Sequence, residues 1–179
     1  MKNILLLLIT CCHLSVLAQD RLSTTKGTTS FEASIPMFEE VKAINTKTSC
    51  ALLTKSGNIN CWMNIKDFNF PRALMQQHFN ENYMESNRFP RALFKGSIEK
   101  FDLEKCSNTP QNYIVSGKLT IKGITKKISI PASIKKTSEG FSFQANFTVN
   151  TDDYNIEIPI LVRSKISKTV NTSLYFVLQ

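Results

Sequence analysis

Apolar and polar residues alternate along most of this chain with a period of two. Within residues 140–149, Phe141, Phe143, Ala145, Phe147 and Val149 fall on one face and polar residues on the other, the pattern of a half-buried β-strand. The same period carries Tyr113, Val115, Gly117, Leu119 and Ile121, then Ile128, Ile130, Ala132 and Ile134. It returns in Ile156, Ile158, Ile160 and Val162, and in the tail through Val170, Thr172, Leu174, Phe176 and Leu178. Turn residues separate these runs at Lys122-Gly123, at Ser138-Glu139-Gly140 and across residues 152–155. Residues 51–54 and 59–65 read as a further hairpin about Ser56-Gly57. Helical periodicity is weak, and its best stretch is a short helix near residues 71–79, with Pro71 suited to a first helical turn. Strands at this spacing predict an antiparallel sandwich or barrel, and periodicity alone does not separate the two. No repeat, low-complexity stretch or linker marks a second domain.

The N-terminus has a different character. Met1-Lys2-Asn3 precedes the apolar run Ile4 to Ile9, and apolar residues continue to Ala18. A charged start, a short apolar core and a small residue at the cut read as a signal peptide over residues 1–18, cleaved before Gln19. The run is too short and interrupted for a membrane span, which needs roughly 20 apolar residues. Cys11 and Cys12 raise the rival of a lipoprotein signal, against which Thr10 stands where Gly or Ala is preferred. The expected location is therefore periplasmic or secreted, with residues 19–179 forming one domain.

Export changes the reading of the cysteines. Cys50, Cys61 and Cys106 remain after cleavage, an odd number that cannot all pair internally. A four-residue hairpin loop at residues 54–57 would set Cys50 opposite Cys61, and an oxidising compartment would permit a bridge. The alternative is three buried thiols acting as small hydrophobes.

Charge and chemistry narrow the function classes. The formal net charge is +8, but the lysines are scattered in pairs and their aromatic neighbours alternate as core, so the basic balance reads as a solvated face, with no nucleic acid as partner. His78 is the one imidazole left after cleavage, and no Gly-x-Ser-x-Gly elbow accompanies it. His78 with Glu81 and Glu85 would share a helical face, yet this offers one nitrogen ligand where a structural zinc wants four nitrogen or sulfur ligands. Asp152-Asp153 reads as turn chemistry. The expectation is a protein with no catalytic residues and no metal.

One segment is more specific than the rest. Residues 75–96 hold His78-Phe79-Asn80-Glu81-Asn82-Tyr83-Met84-Glu85-Ser86, then Phe89-Pro90 and Phe94-Lys95-Gly96, and this run resembles the YceI-like family. Residues 116–126, a strand–glycine–strand hairpin, and residues 153–159 with Lys165-Ile166 extend the resemblance over nearly all of the exported chain, the last motif being that of Bacteroidetes-type members. The resemblance implies a lipocalin-like antiparallel β-barrel of about eight strands and a long-chain isoprenoid or quinone-type lipid as ligand. It also implies an amphiphilic lipid partner, and since no second hydrophobic span follows the leader, no stable membrane insertion is expected. A homodimer is left open.

Alternation supplies the expected lining of such a barrel: Phe94, Ile98, Leu119, Ile121, Phe141, Phe143 and Phe147. His78, Phe79, Tyr83 and Met84 are expected at the mouth as a cap. The alternative is a structural or protein-interaction barrel whose inward side chains simply fill the interior.

Overall fold

The computed structural model describes residues 21–179; the expected leader over residues 1–18 lies outside them. Eight strands run in chain order: β1 (Arg21–Ser34), β2 (Lys42–Leu53), β3 (Asn58–Asn64), β4 (Arg91–Ile98), β5 (Gln111–Ile121), β6 (Ile124–Thr137), β7 (Gly140–Asn150) and β8 (Ile166–Leu178). Each pairs antiparallel with the next, and β8 returns to β1, so the sheet closes into a barrel without free edges. The β5–β6 hairpin turns on Lys122 (φ 47°) and Gly123 (φ 77°). Two consecutive left-handed residues are what a tight hairpin turn demands, and glycine takes the second at no steric cost.

The helix is shorter than the sequence suggests. α1 (Ala73–His78) starts two residues past Pro71 and passes directly into a π-turn, Phe79–Tyr83. Together they cross the end of the barrel between β3 and β4.

One predicted strand is absent. Residues 156–162 pair with nothing along their length; an extended stretch leads through Pro159 into a 3-10 turn, Ile160–Val162. Once β7 pairs with β8, and β8 with β1, the closed barrel has no edge left to accept another strand, and Pro159 lacks a donor for a ladder. Ile156 and Ile158 still turn inward, while Ile160 and Leu161 stand in solvent.

The larger packed cluster of the interior lies at one end, and a smaller one, Ile65, Met84 and Ala92, lies toward the other. Leu52, Ile98, Cys106, Val115, Ile134 and Leu178 form the centre of a packed plug, with Phe101, Tyr113 and Phe141 against it. The β4–β5 connection folds over this end, where the Lys136 amide donates to the Ser107 carbonyl at 2.7 Å. Burial, with the hydrogen bond to the Cys106 thiol adding to it, pushes the Tyr113 phenol up to about 12. Cys50 faces Cys61 across β2 and β3, and the two are joined by a disulfide. Cys106 is a free, buried thiol.

Candidate functional site

Above the plug the barrel is hollow. The inward positions at this level include small residues, among them Thr29, Ala33 and Ala92, and the space they leave is a cavity of about 530 Å³. That falls within the range of roughly 300–1,000 Å³ typical of small-ligand sites. Its floor is aromatic. Phe143 and Phe176 stack with centroids 4.6 Å apart and planes within 6°, and beside them lies Phe94. The Phe94 ring covers the Gly96–Gly117 pair, which sits side by side across β4 and β5. A Cβ on Gly117 would lie 2.7 Å from Phe94 Cζ and 2.5 Å from the Lys95 carbonyl oxygen, so both glycines are required for the ring to lie flat. The walls above are aliphatic, with Leu119, Ile121, Ile130, Val149, Val170 and Leu174 contributing.

Four phenylalanines gather at the mouth. Phe79, the first residue of the π-turn, places its ring 5.5 Å from Phe31, 5.7 Å from Phe68 and 5.0 Å from Phe70. Phe31 comes from β1, and Phe68 and Phe70 from the segment leading into α1. A π-turn widens the helix locally and re-aims one side chain, a device frequent at functional sites. Behind the ring, the Met84 amide donates to the Phe79 carbonyl at 2.9 Å and the Ser86 amide to the Asn80 carbonyl at 2.8 Å.

Polar groups strap this cap to the rim. Lys122, on the β5–β6 turn, pairs with Glu85 at 2.8 Å and donates to the Asn155 carbonyl at 3.2 Å. One ammonium thus ties the cap, the β5–β6 turn and the β7–β8 connection together, and the hydrogen bond from Lys122 holds the Glu85 carboxyl below its ordinary value. Arg72 pairs with Glu39, joining the start of α1 to the β1–β2 loop. Burial raises the Tyr83 phenol above its usual value, keeping it neutral at the cavity edge. Within the wall, Thr29 Oγ1 and Thr48 Oγ1 satisfy each other at 2.7 Å. The Thr151 hydroxyl is buried on the wall without a hydrogen-bond partner, so a polar atom of a ligand near the mouth has one group to meet.

The structure places Phe94, Leu119, Ile121, Phe143 and Phe147 on the cavity surface, and His78, Phe79, Tyr83 and Met84 around its mouth. Ile98 and Phe141 are corrections. They point inward as alternation requires, but they sit in the plug at the closed end and do not line the cavity. Alternation distinguishes inward from outward; it carries no information on depth along the barrel axis. Phe31, Phe68, Phe70, Ile156, Ile158 and Val162 line the site without having been picked out as lining from the sequence. The alternation of Phe68 and Phe70 about Asn69 was the available signal.

Chemically, the arrangement is an apolar-lined cavity with few polar groups, the make-up of a site for an apolar molecule. His78 is exposed at the end of α1, and the two carboxylates the sequence sets on its helical face are engaged elsewhere, Glu81 by Gln77 and Glu85 by Lys122. Among the described residues no three His, Cys, Asp or Glu side chains group to hold a metal ion, and no helix is long and apolar enough to cross a membrane.

Comparison with known proteins gives one family and one fold. The family described as the YceI-like domain matches residues 17–178. Among solved structures, the chain is similar to a polyisoprenoid-binding domain from Saccharophagus degradans implicated in plant cell wall breakdown. The TM-score is 0.76 at 15% identity, over 89% of this chain and 98% of that one. BcnA of Burkholderia cenocepacia gives 0.69 at 16% identity over 86% and 96%. A Campylobacter jejuni YCEI protein, a mutant with a monobromobimane guest, gives 0.54 at 17% identity over 93% and 87%. At these identities the likeness is one of fold. No curated protein matches the sequence.

Proposed function

The chain belongs to the YceI-like family, and from that premise we propose that its barrel binds a long-chain isoprenoid or quinone-type lipid and carries it outside the cytoplasm. The observation that carries this reading is the apolar cavity of about 530 Å³, closed below by the aromatic floor and open beneath the phenylalanine cap. The tail would lie along the cavity, and a polar head would sit at the mouth near Thr151 and Tyr83. A structural neighbour described as a polyisoprenoid-binding domain supports the ligand class. The signal-peptide pattern of residues 1–18 supports a periplasmic or secreted carrier. The reading assigns no catalytic step to any residue.

The physical basis is desolvation. Each methylene-sized group buried contributes roughly 0.8 kcal/mol, so every further isoprene unit that still fits should raise affinity by well over tenfold. Association and ordering costs must be overcome first, which disfavours short ligands.

The test is a titration of delipidated protein with isoprenoid alcohols of increasing length, followed by mass spectrometry under non-denaturing conditions. One-to-one binding that tightens with each unit and then levels off is expected. Weak binding with no dependence on chain length would refute the reading.

A further inference from the structure

The exposed apolar side chains of this protein are not scattered. Its four most exposed large hydrophobic residues are Met37 (101%), Leu161 (90%), Ile160 (81%) and Leu74 (64%), while every other one among the described residues is at 49% or below. All four lie on segments that frame the cavity mouth: the β1–β2 loop, α1 and the β7–β8 connection. These segments are neighbours. Ser34 at the end of β1 pairs with Ile166 at the start of β8, so the loops carrying Met37 and Ile160–Leu161 spring from adjacent positions. The Arg72–Glu39 pair draws the start of α1, and with it Leu74, to the same side.

The charges around these tips leave a small positive excess. Beside Met37 and Phe38, both acidic groups are neutralised, Glu39 by Arg72 and Glu40 by Lys42. Just past Ile160–Leu161 stand Arg163 and Lys165, both exposed and without an ion pair among the described residues, and against these two cations stands one exposed carboxylate on the same connection, Glu157. Arg163 is steadied by a long contact of 3.5 Å to the Ile158 carbonyl. Apolar tips followed by cations in excess of carboxylates are what a surface needs to enter the headgroup region of an anionic bilayer.

We propose that the open end of the barrel docks on an anionic phospholipid bilayer, with Ile160–Leu161 and Met37 as inserting tips and Arg163 and Lys165 as the cationic collar. This rests on the lipid-binding reading above and adds where the lipid is exchanged. Tips on three separate segments around an opening suit a deformable apolar medium better than a flat protein face. With the mouth seated on the bilayer, a lipid tail passes into the cavity without crossing water.

The experiment uses the full chain as its host processes it, with intact mass establishing the N-terminus. Flotation is measured with vesicles of phosphatidylethanolamine and phosphatidylglycerol, and with phosphatidylcholine alone. The protein is expected to float with the anionic vesicles, and Ile160→Asp with Leu161→Asp should weaken this on the order of tenfold or more. Leu74→Asp should weaken it independently, whereas Ile114→Asp on the barrel wall should not. All these positions are solvent-facing, and unchanged thermal melting confirms that each variant is folded.

Absent flotation of the parent, or equal flotation of the Ile160/Leu161 variant, overturns the proposal. So does a parent dimer that this variant dissolves while neither form floats, since the patch would then be an interface between copies of the chain. Isoprenoid binding in solution is measured on the same samples. Retained isoprenoid binding without flotation sinks the docking surface alone; flotation sensitive to the tips without isoprenoid binding supports the surface and sinks the cargo.

Discussion

Replacing Phe79 by alanine should loosen the cap and leave the barrel intact. The Phe79 ring meets Phe31, Phe68 and Phe70 with centroids between 5.0 and 5.7 Å. Aromatic pairs contribute about 0.5–1.5 kcal/mol each beyond area burial. Three such pairs on a half-buried ring put the loss at about 2–4 kcal/mol, allowing for the part of the ring that already faces the cavity. The loss falls on a segment held otherwise by a few hydrogen bonds and two ion-pair straps, so it should appear as local opening. The amides of Met84 and Ser86, which bond back to Phe79 and Asn80, report that opening directly. Their hydrogen-exchange protection should fall about a hundredfold, since about 1.4 kcal/mol corresponds to a factor of ten. Strand amides at Val115 and Phe176, beside the cavity floor, should hold their protection far better. Release of a bound isoprenoid should accelerate in parallel if the cap gates the mouth. Uniform loss at cap and floor would rule out a locally held cap, because Phe79 would then be one more part of the global core. So would unchanged protection at Met84 and Ser86, because the ring cluster would then hold nothing in place.

Three further expectations follow from the same structure. Replacing Cys50 and Cys61 together by serine opens a link of sequence separation 11, for which chain entropy gives about 3 kcal/mol; thermal melting should drop by roughly 6–12 °C for a domain of this size, with lipid stoichiometry unchanged. Lys122→Met should remove the strap to Glu85 and Asn155 and alter the pH response of the cap. Because the Glu85 carboxyl is held below its ordinary value, its contribution is present above the normal glutamate range and lost as pH falls through and below it. Protection of the Met84 amide should thus decline with acid in the parent, and this dependence should flatten in the variant. Gly117→Ala should cost about 1–3 kcal/mol or more in denaturant unfolding, because the added Cβ meets the Lys95 carbonyl at 2.5 Å and Gly96 Cα at 2.6 Å; stability equal to the parent would contradict the close approach.

Alternation in residues 111–121, 124–137 and 140–149 was legible because large apolar and polar side chains trade places at every step there. β1 was not: its inward residues include Gly27, Thr29 and Ala33, too small or polar to stand out against the outward ones. The closure that forbids a strand at residues 156–162 is a property of the whole sheet and leaves no local trace beyond Pro159. Depth was hidden too. Ile98 and Phe141 alternate as correctly as Phe94 and Phe143, and what separates plug from cavity is the β4–β5 connection folding over one end. The short helix near residues 71–79 was visible; the ring cluster that Phe79 completes with Phe31 joins residues far apart in the chain.

If the hollow half of the barrel holds a lipid, protein purified gently from the organism that makes it should carry one, and mass spectrometry reads this. Intact ions under non-denaturing conditions are compared with an organic extract of the same sample. A stoichiometric extra mass that leaves with solvent and is identified as a polyprenyl or quinone-type lipid is expected. A bare protein mass, unchanged after incubation with such lipids, would contradict it.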